Sequence, residues 1–543
     1  MPSHDRTPKR RIALLFAAAA GIGAVIWLTF GRTAFVNYDS AWSLNWARDL
    51  LGGARPNLDR PFSPTPHPLS DLFAGLLAPL SDASLDGGAV GTGSEAVLIV
   101  VALFFLGALG VVTYQLGRAW FGVGAGVVAA VLILTREPVL SYGLRTYLDL
   151  PYAVFLLLAL LTETRRPRNG YRTVAWLTLA GLLRPEAWLL TAAYVGYLVV
   201  VAARDGDPVP APKLRAWSAR VPWKRLAGIA AFSLIAPIGW LIEGWVLAGD
   251  PLLALTGTQQ NAADLDRVTG IGSAFTVMPR RLGEIVREPV LLAAAGGLVL
   301  SLLFLRKRAL LGLGAAIAAG LGFFVLAATG LPLLTRYLVF PAAIVILFAA
   351  AGLLGWQRLP IDHRWRRPWQ AFSAVALVAL LVFLPSQVNR IDRLQSALSL
   401  QQTVIGDLRT VTGEGLRPAQ GSGTCSITLD FDTPDPERIV RDPWVALPNH
   451  RAVPQVRLWA GTDPSGRSQT VQAFEPGTRP TYLLLPSSER VARGFILDPA
   501  DRRKGLPTPP SGSVLIARHG SWLVYGPPRF DAACAAEIRS RLE

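Results

Sequence analysis

Nine apolar runs, each near the length of one bilayer crossing, constrain this chain more than any other feature of its sequence. They cover residues 12–30, 96–116, 119–135, 150–161, 226–247, 290–305, 309–329, 337–356 and 371–385. A hydrocarbon core about 30 Å thick calls for about 20 helical residues. A further stretch, 173–203, holds 31 residues, too long for one crossing and too short for two. Arg184-Pro185-Glu186 interrupts it, and a proline flanked by two charges does not sit inside a lipid-facing helix. The stretch reads as two short helices meeting in a protein-lined cavity. Nine runs plus these two halves predict a mainly α fold, a polytopic transmembrane helical bundle of 11 spans. Composition agrees: 17% of the residues are charged, against about 25% in soluble domains. An ordinary soluble enzyme, a disordered chain and a disulfide scaffold are excluded.

The net charge of +16 raises the question of nucleic acid. Its distribution answers it. With Lys9, Arg10 and Arg11 in the cytoplasm and the spans alternating, cytoplasmic segments carry about 22 Lys and Arg in roughly 63 residues, and the opposite loops about 12 in roughly 130. The clusters at 165–168, 213–225, 306–308 and 364–367 all fall on the cytoplasmic side. The charge is an orientation signal, and no nucleic-acid partner is expected. The first apolar run lacks a small-residue cleavage site before Asp39 and reads as an uncleaved first span in a plasma-membrane protein.

An odd number of spans places residues 386–543 outside the cytoplasm, as a soluble domain following a membrane module of residues 1–385. Its start has helical spacing at Val388, Ile391, Leu394, Leu398, Ile405 and Leu408. Strand-like runs follow at 425–431, 481–485, 514–517 and 522–525, the last two forming a hairpin near His519-Gly520. The expectation is an extracytoplasmic α/β domain. Its two cysteines, Cys425 and Cys534, fit one disulfide in an oxidising compartment, with two buried thiols as the alternative. Asp430, Asp432, Asp435 and Glu437 read as a solvated turn, with calcium binding as the alternative.

The long loops lie on the outer side, and long ordered loops carry sites. Tyr38-Asp39 follows the first span; Asp39 is either a general base aimed into an interfacial cavity or an N-cap of the following helix. Pro64-Thr65-Pro66-His67-Pro68 displays one imidazole on a stiff loop. Arg145 and Asp149 precede the fourth span; the alternatives to a functional role are capping by Asp149 and a pair between the two across one turn. Arg184 and Glu186 are ionisable groups at membrane depth, a functional pair or an ion pair. Arg336-Tyr337 precedes the tenth span, either as an interfacial anchor or as a phosphate ligand. Together a carboxylate, a histidine and three arginines on one side suggest chemistry on an anionic, membrane-resident substrate.

These motifs resemble the GT-C superfamily of membrane glycosyltransferases, and most closely the glycosyltransferase family 39-like group of protein O-mannosyltransferases and lipid A aminoarabinose transferases. Tyr38-Asp39 resembles that family's acidic residue after the first span, and His67-Pro68-Leu69 its His-Pro-Pro-Leu motif without the second proline. Arg145…Asp149-Leu150-Pro151 resembles its second-loop motif, and Arg336-Tyr337 its late Arg-Tyr motif. The likeness spans about residues 10–356 by topology. It implies a polyprenyl-phosphate sugar as donor in the outer leaflet and an envelope glycan, lipid or protein as acceptor. Asp39 would be the catalytic base, and Arg145, Arg184 or Arg336 would stabilise the phosphate leaving group. Tyr337 and His67 would orient that phosphate, Tyr38 would line the substrate site, and Asp149 and Glu186 would position arginine and sugar. No metal ligands are assigned, and a divalent cation stays open because some members of the superfamily use one. The competing class, a transporter or lipid flippase, predicts inverted repeats and a midplane site; no repeat is visible and the polar residues favour one face.

Overall fold

The structure, a computed structural model, describes residues 8–54, 56, 58, 64–81, 89–205, 221–416, 444–460, 471–475, 480–493, 507–528 and 530–543. The chain forms two compact units. The first comprises Met1–Thr29, Thr65–Ser70 and Val101–Asp392; the second comprises Phe30–Pro64, Asp71–Val100 and Arg393–Glu543.

Among the described residues seven helices are long and apolar enough to cross a bilayer, or nine if two bent pairs each count as one span. This is a multi-pass membrane protein. Each of the eleven predicted spans is present as helix, but besides the helices of two bent pairs, two are short. The span at 150–161 is the helix Asp149–Arg165, of 17 residues, and the first half of the broken stretch is Tyr171–Leu183, of 13 residues. At about 1.5 Å per residue neither crosses a full bilayer core on its own. The bent pairs are Val123–Leu134 with Glu137–Leu144, turned by 66°, and Ile271–Val286 with Glu288–Phe304, turned by 103°.

The centre of the first unit is Thr335–Arg358, whose most apolar window is 89% buried, whereas the N-terminal Lys9–Thr29 is only 11% buried. Two apolar helices gain little hydrophobic energy by meeting in lipid, so close backbone approach decides their packing. Glu288–Phe304 and Val339–Leu354 cross at glycines: a Cβ on Gly297 would collide with the backbone of Phe348 and Gly352, and one on Gly352 with the carbonyl of Ala293. Gly297→Ala should therefore cost about 1–3 kcal/mol through overpacking. Gly314→Ala, in a helix with open space around that position, should be neutral or stabilising. Thermal unfolding in detergent micelles separates the two; equal midpoints would refute the close crossing.

The second unit contains a five-stranded sheet, β1 (Val445–Leu447), β2 (Val471–Ala473), β3 (Tyr482–Pro486), β4 (Val514–His519) and β5 (Trp522–Gly526), in the order β2-β1-β3-β5-β4. The β4–β5 hairpin turns at Gly520, whose φ of +49° suits glycine. β1 is parallel to both β2 and β3. Parallel neighbours need a crossover rather than a tight turn, and β1 and β2 are separated in sequence by the helix Val453–Ala460, buried at every residue. The apolar pattern at 388–408 is not a separate helix. It continues the last span as one 44-residue helix, Arg366–Arg409, in which Pro385 removes a backbone donor without ending the helix. Cys534 is buried in the final helix, Ala532–Leu542. Cys425, the strand-like run 425–431 and the acidic group Asp430, Asp432, Asp435 and Glu437 lie outside the described residues.

Candidate functional site

The break at Arg184-Pro185 has a local cause. The ring of a proline disfavours the α conformation in the residue before it, and Arg184 is extended, with φ −151° and ψ 131°. The helix ends at Leu183 and resumes at Glu186. That leaves a guanidinium, 4% exposed, at the junction of two helix ends. Its charge is answered twice. Arg184 Nη2 lies 2.6 Å from Asp149 Oδ1, and Nη1 lies 3.5 Å from Glu186 Oε1. Asp149 is fully buried. A buried carboxylate needs such a partner, because moving it out of water alone is costly.

Asp149 is not a cap. The capping position of Asp149–Arg165 is Leu148, which makes no side-chain cap bond, so the carboxylate in the first turn is directed to Arg184. The ion-pair alternative for Arg184 and Glu186 is real, and it is one half of a three-residue cluster.

Aromatic rings close over the cluster. The Arg184 guanidinium stands 4.5 Å from the ring centre of Tyr337, in the 3₁₀ turn Thr335–Leu338. Arg336 stands 6.0 Å from the Tyr337 ring and 5.5 Å from that of Tyr147. Tyr142 packs against Tyr147 at 5.4 Å and is within electrostatic range of Asp149, Arg336 and Arg145. Tyr152 is buried within range of Glu186, Arg184 and Asp149. Glu186, Tyr152, Tyr337, Phe323, Phe340 and Pro341 line a narrow cleft. Glu186 Oε2 faces no hydrogen-bond partner among the described residues.

Six of the residues singled out from the sequence, Arg145, Asp149, Arg184, Glu186, Arg336 and Tyr337, thus gather in the first unit. His67 belongs to the same unit. Its ring meets Trp240 edge-on at 5.3 Å, and the Trp240 indole N–H donates to Gly181 O at 2.8 Å, three residues before Arg184. Sequence reasoning missed Tyr142, Tyr147 and Tyr152. Tyr152 was legible, since it follows Asp149 by three residues on one helical face.

Tyr38 and Asp39 belong to the second unit. They open the helix Tyr38–Leu51, whose N-cap is Asn37, with Asn37 Oδ1 accepting from Ser40 N at 2.8 Å. The capping role considered for Asp39 is therefore filled by Asn37. The Tyr38 ring meets His450 edge-on at 5.5 Å. Among the described residues no group of three or more His, Cys, Asp and Glu is placed to hold a metal ion.

No family model matches the chain, and no curated protein does. Solved structures do. The chain is similar to ArnT from Cupriavidus metallidurans bound to undecaprenyl phosphate, at 15% identity and a TM-score of 0.47, covering 94% of this chain and 97% of that one. It is similar to the Archaeoglobus fulgidus oligosaccharyltransferase in complex with zinc and sulfate, at 14% identity and a TM-score of 0.46, covering 87% and 68%. It is also similar to AglB from Archaeoglobus fulgidus in complex with an inhibitory peptide and a dolichol-phosphate, at 13% identity and a TM-score of 0.47, covering 97% and 75%. At such identities and TM-scores the likeness assigns no residue a role.

Proposed function

We propose that this chain is a membrane glycosyltransferase. It takes a sugar from a polyprenyl-phosphate donor and passes it, with inversion, to a hydroxyl of an envelope glycan, lipid or protein on the outer face of the membrane. The observation that carries the reading is the convergence on Arg184. Residues from three separate stretches, 145–149, 184–186 and 336–337, meet around one buried guanidinium. A buried guanidinium in a poorly solvated cluster suits a phosphate whose charge grows as it leaves.

The residues divide the work. Asp149 and Glu186 hold the plane of Arg184, while Arg336 and Arg145 face the growing charge of the phosphate. Tyr337 and His67 orient the phosphate. The acceptor oxygen bonds to the anomeric carbon as its proton passes to Asp39. The bond from that carbon to the phosphate oxygen breaks, and its electron pair leaves with polyprenyl phosphate. The proton is needed only as the new bond forms, so a carboxylate of ordinary acidity serves. The positive-inside charge pattern supports an outward-facing reaction.

The test is Asp39→Asn in membranes supplied with polyprenyl-phosphate sugars. Transfer should fall about 100-fold or more, the scale of a lost general base, with the amount of folded protein unchanged. A wild-type rate would end the proposal.

A further inference from the structure

The helices Asp149–Arg165 and Tyr171–Leu183 form a hairpin with Arg184, Asp149 and Glu186 at its open end. At the other end, sixteen residues along from Asp149 and so about 24 Å away along the helix axis, lies a second cavity of about 410 Å³. Arg165, Arg166 and Arg172 line it together with Thr162, Ala175, Trp176 and Leu179, and among the described residues no carboxylate lines it. The periodicity explains the shape. Arg172, Ala175, Trp176 and Leu179 have the spacing i, i+3, i+4, i+7 and share one helix face. The polar end of that face meets Arg165 and Arg166 at the last turn of the neighbouring helix, and the apolar remainder runs along the bundle, with Trp176 stacked on Phe155 at 6.0 Å.

The nearby carboxylate is engaged elsewhere: Glu163 accepts from Arg168 N at 2.7 Å and from the Tyr194 hydroxyl at 2.7 Å. Arg11 and Arg118 add positive charge within electrostatic range of Arg165. Topology signalling accounts for basic residues at this end of the hairpin; it does not account for a cavity beneath them with an apolar floor.

We propose that this cavity binds an anionic phospholipid, with its phosphate on Arg165, Arg166 and Arg172 and an acyl chain along Ala175, Trp176 and Leu179. Guanidinium groups match phosphate oxygens bidentately, and basic pockets between membrane helices are where anionic headgroups settle. A free phosphate would use the arginines and leave the floor bare. The site is separate from the cluster at Arg184 and does not depend on the reaction proposed above.

The experiment is native mass spectrometry of the purified full chain in detergent, titrated with phosphatidylglycerol, phosphatidylcholine or inorganic phosphate. Wild type should retain phosphatidylglycerol in preference to phosphatidylcholine. R166Q/R172Q, which keeps the 2.7 Å bond from Arg165 to Gln115, should bind phosphatidylglycerol about 30-fold more weakly. Phosphatidylglycerol brominated on its acyl chains should quench, in wild type, the part of the tryptophan fluorescence that W176F lacks, a reading that does not need the arginine variant to fold. Equal retention of the two lipids, undiminished binding by R166Q/R172Q, or displacement of phosphatidylglycerol by millimolar inorganic phosphate would overturn the proposal.

Discussion

Arg184→Met should abolish sugar transfer and destabilise the first unit by about 3–5 kcal/mol, the cost of leaving buried charge uncompensated. Asp149 has no exposed surface and its side chain pairs with Arg184 at 2.6 Å, while Glu186 pairs with the same guanidinium at 3.5 Å. Methionine fills much of the volume but strands both carboxylates. Stability and chemistry can be separated by a second variant. Asp149→Asn combined with Arg184→Met removes one of the stranded charges and should recover about half of the lost stability, with transfer still at background. Arg184→Lys should keep the protein folded but weaken transfer, because a point charge replaces a planar fork that serves two carboxylates and packs on Tyr337. The readouts are the unfolding midpoint in detergent and the transfer rate in membranes. Arg184→Met with a wild-type midpoint would show that neither carboxylate depends on this arginine.

The membrane architecture was legible because its signals are local. Twenty apolar residues need no partner to be recognised, and the break at Arg184-Pro185-Glu186 follows from what proline and charge cannot do in lipid. Six of the candidate residues that gather in the first unit drew notice for the same reason: Arg145, Asp149, Arg184, Glu186, Arg336 and Tyr337 are ionisable or amphipathic groups beside apolar runs. The pairing of Asp149 with Arg184 across 35 positions was not legible, since nothing in either stretch names the other. Capping stayed open in the sequence for a related reason. Asp39 and Asp149 both have the composition of a cap, but the cap positions belong to Asn37 and Leu148, and only backbone geometry tells adjacent residues apart. The hairpin β4–β5 was readable from alternation and a glycine turn, whereas β1 and β2 have three residues each, too few to show a period.

Least legible of all was the partnership inside the second unit between the helix Tyr38–Leu51 and the helix Val453–Ala460, about 400 positions apart. Asp49 Oδ2 accepts from Arg457 Nη2 at 2.8 Å, both side chains being less than one-tenth exposed, and the Arg457 guanidinium stands 5.8 Å from the Trp42 ring. Arg48 donates to the carbonyls of Leu458 at 3.0 Å and Arg457 at 2.9 Å, and Asn45 donates to that of Pro454 at 2.8 Å. Four side chains of one helix thus read the other, and the helix so held is the one that opens with Asp39. Arg457→Met should destabilise the second unit by about 3 kcal/mol, because the buried side chain of Asp49 loses the guanidinium it pairs with. Pairing Arg457→Met with Asp49→Leu should return most of that stability, since a buried ion pair replaced by apolar side chains of similar size is often neutral or better. If Asp39 is the base, the double variant should fold and bind donor normally yet transfer more slowly, because the helix loses an anchor about 15 Å along its axis from the carboxylate. Limited proteolysis of residues 393–543 reports the first effect, and donor affinity set against turnover reports the second. A stable Arg457→Met protein with full turnover would mean that the two helices need no charge between them.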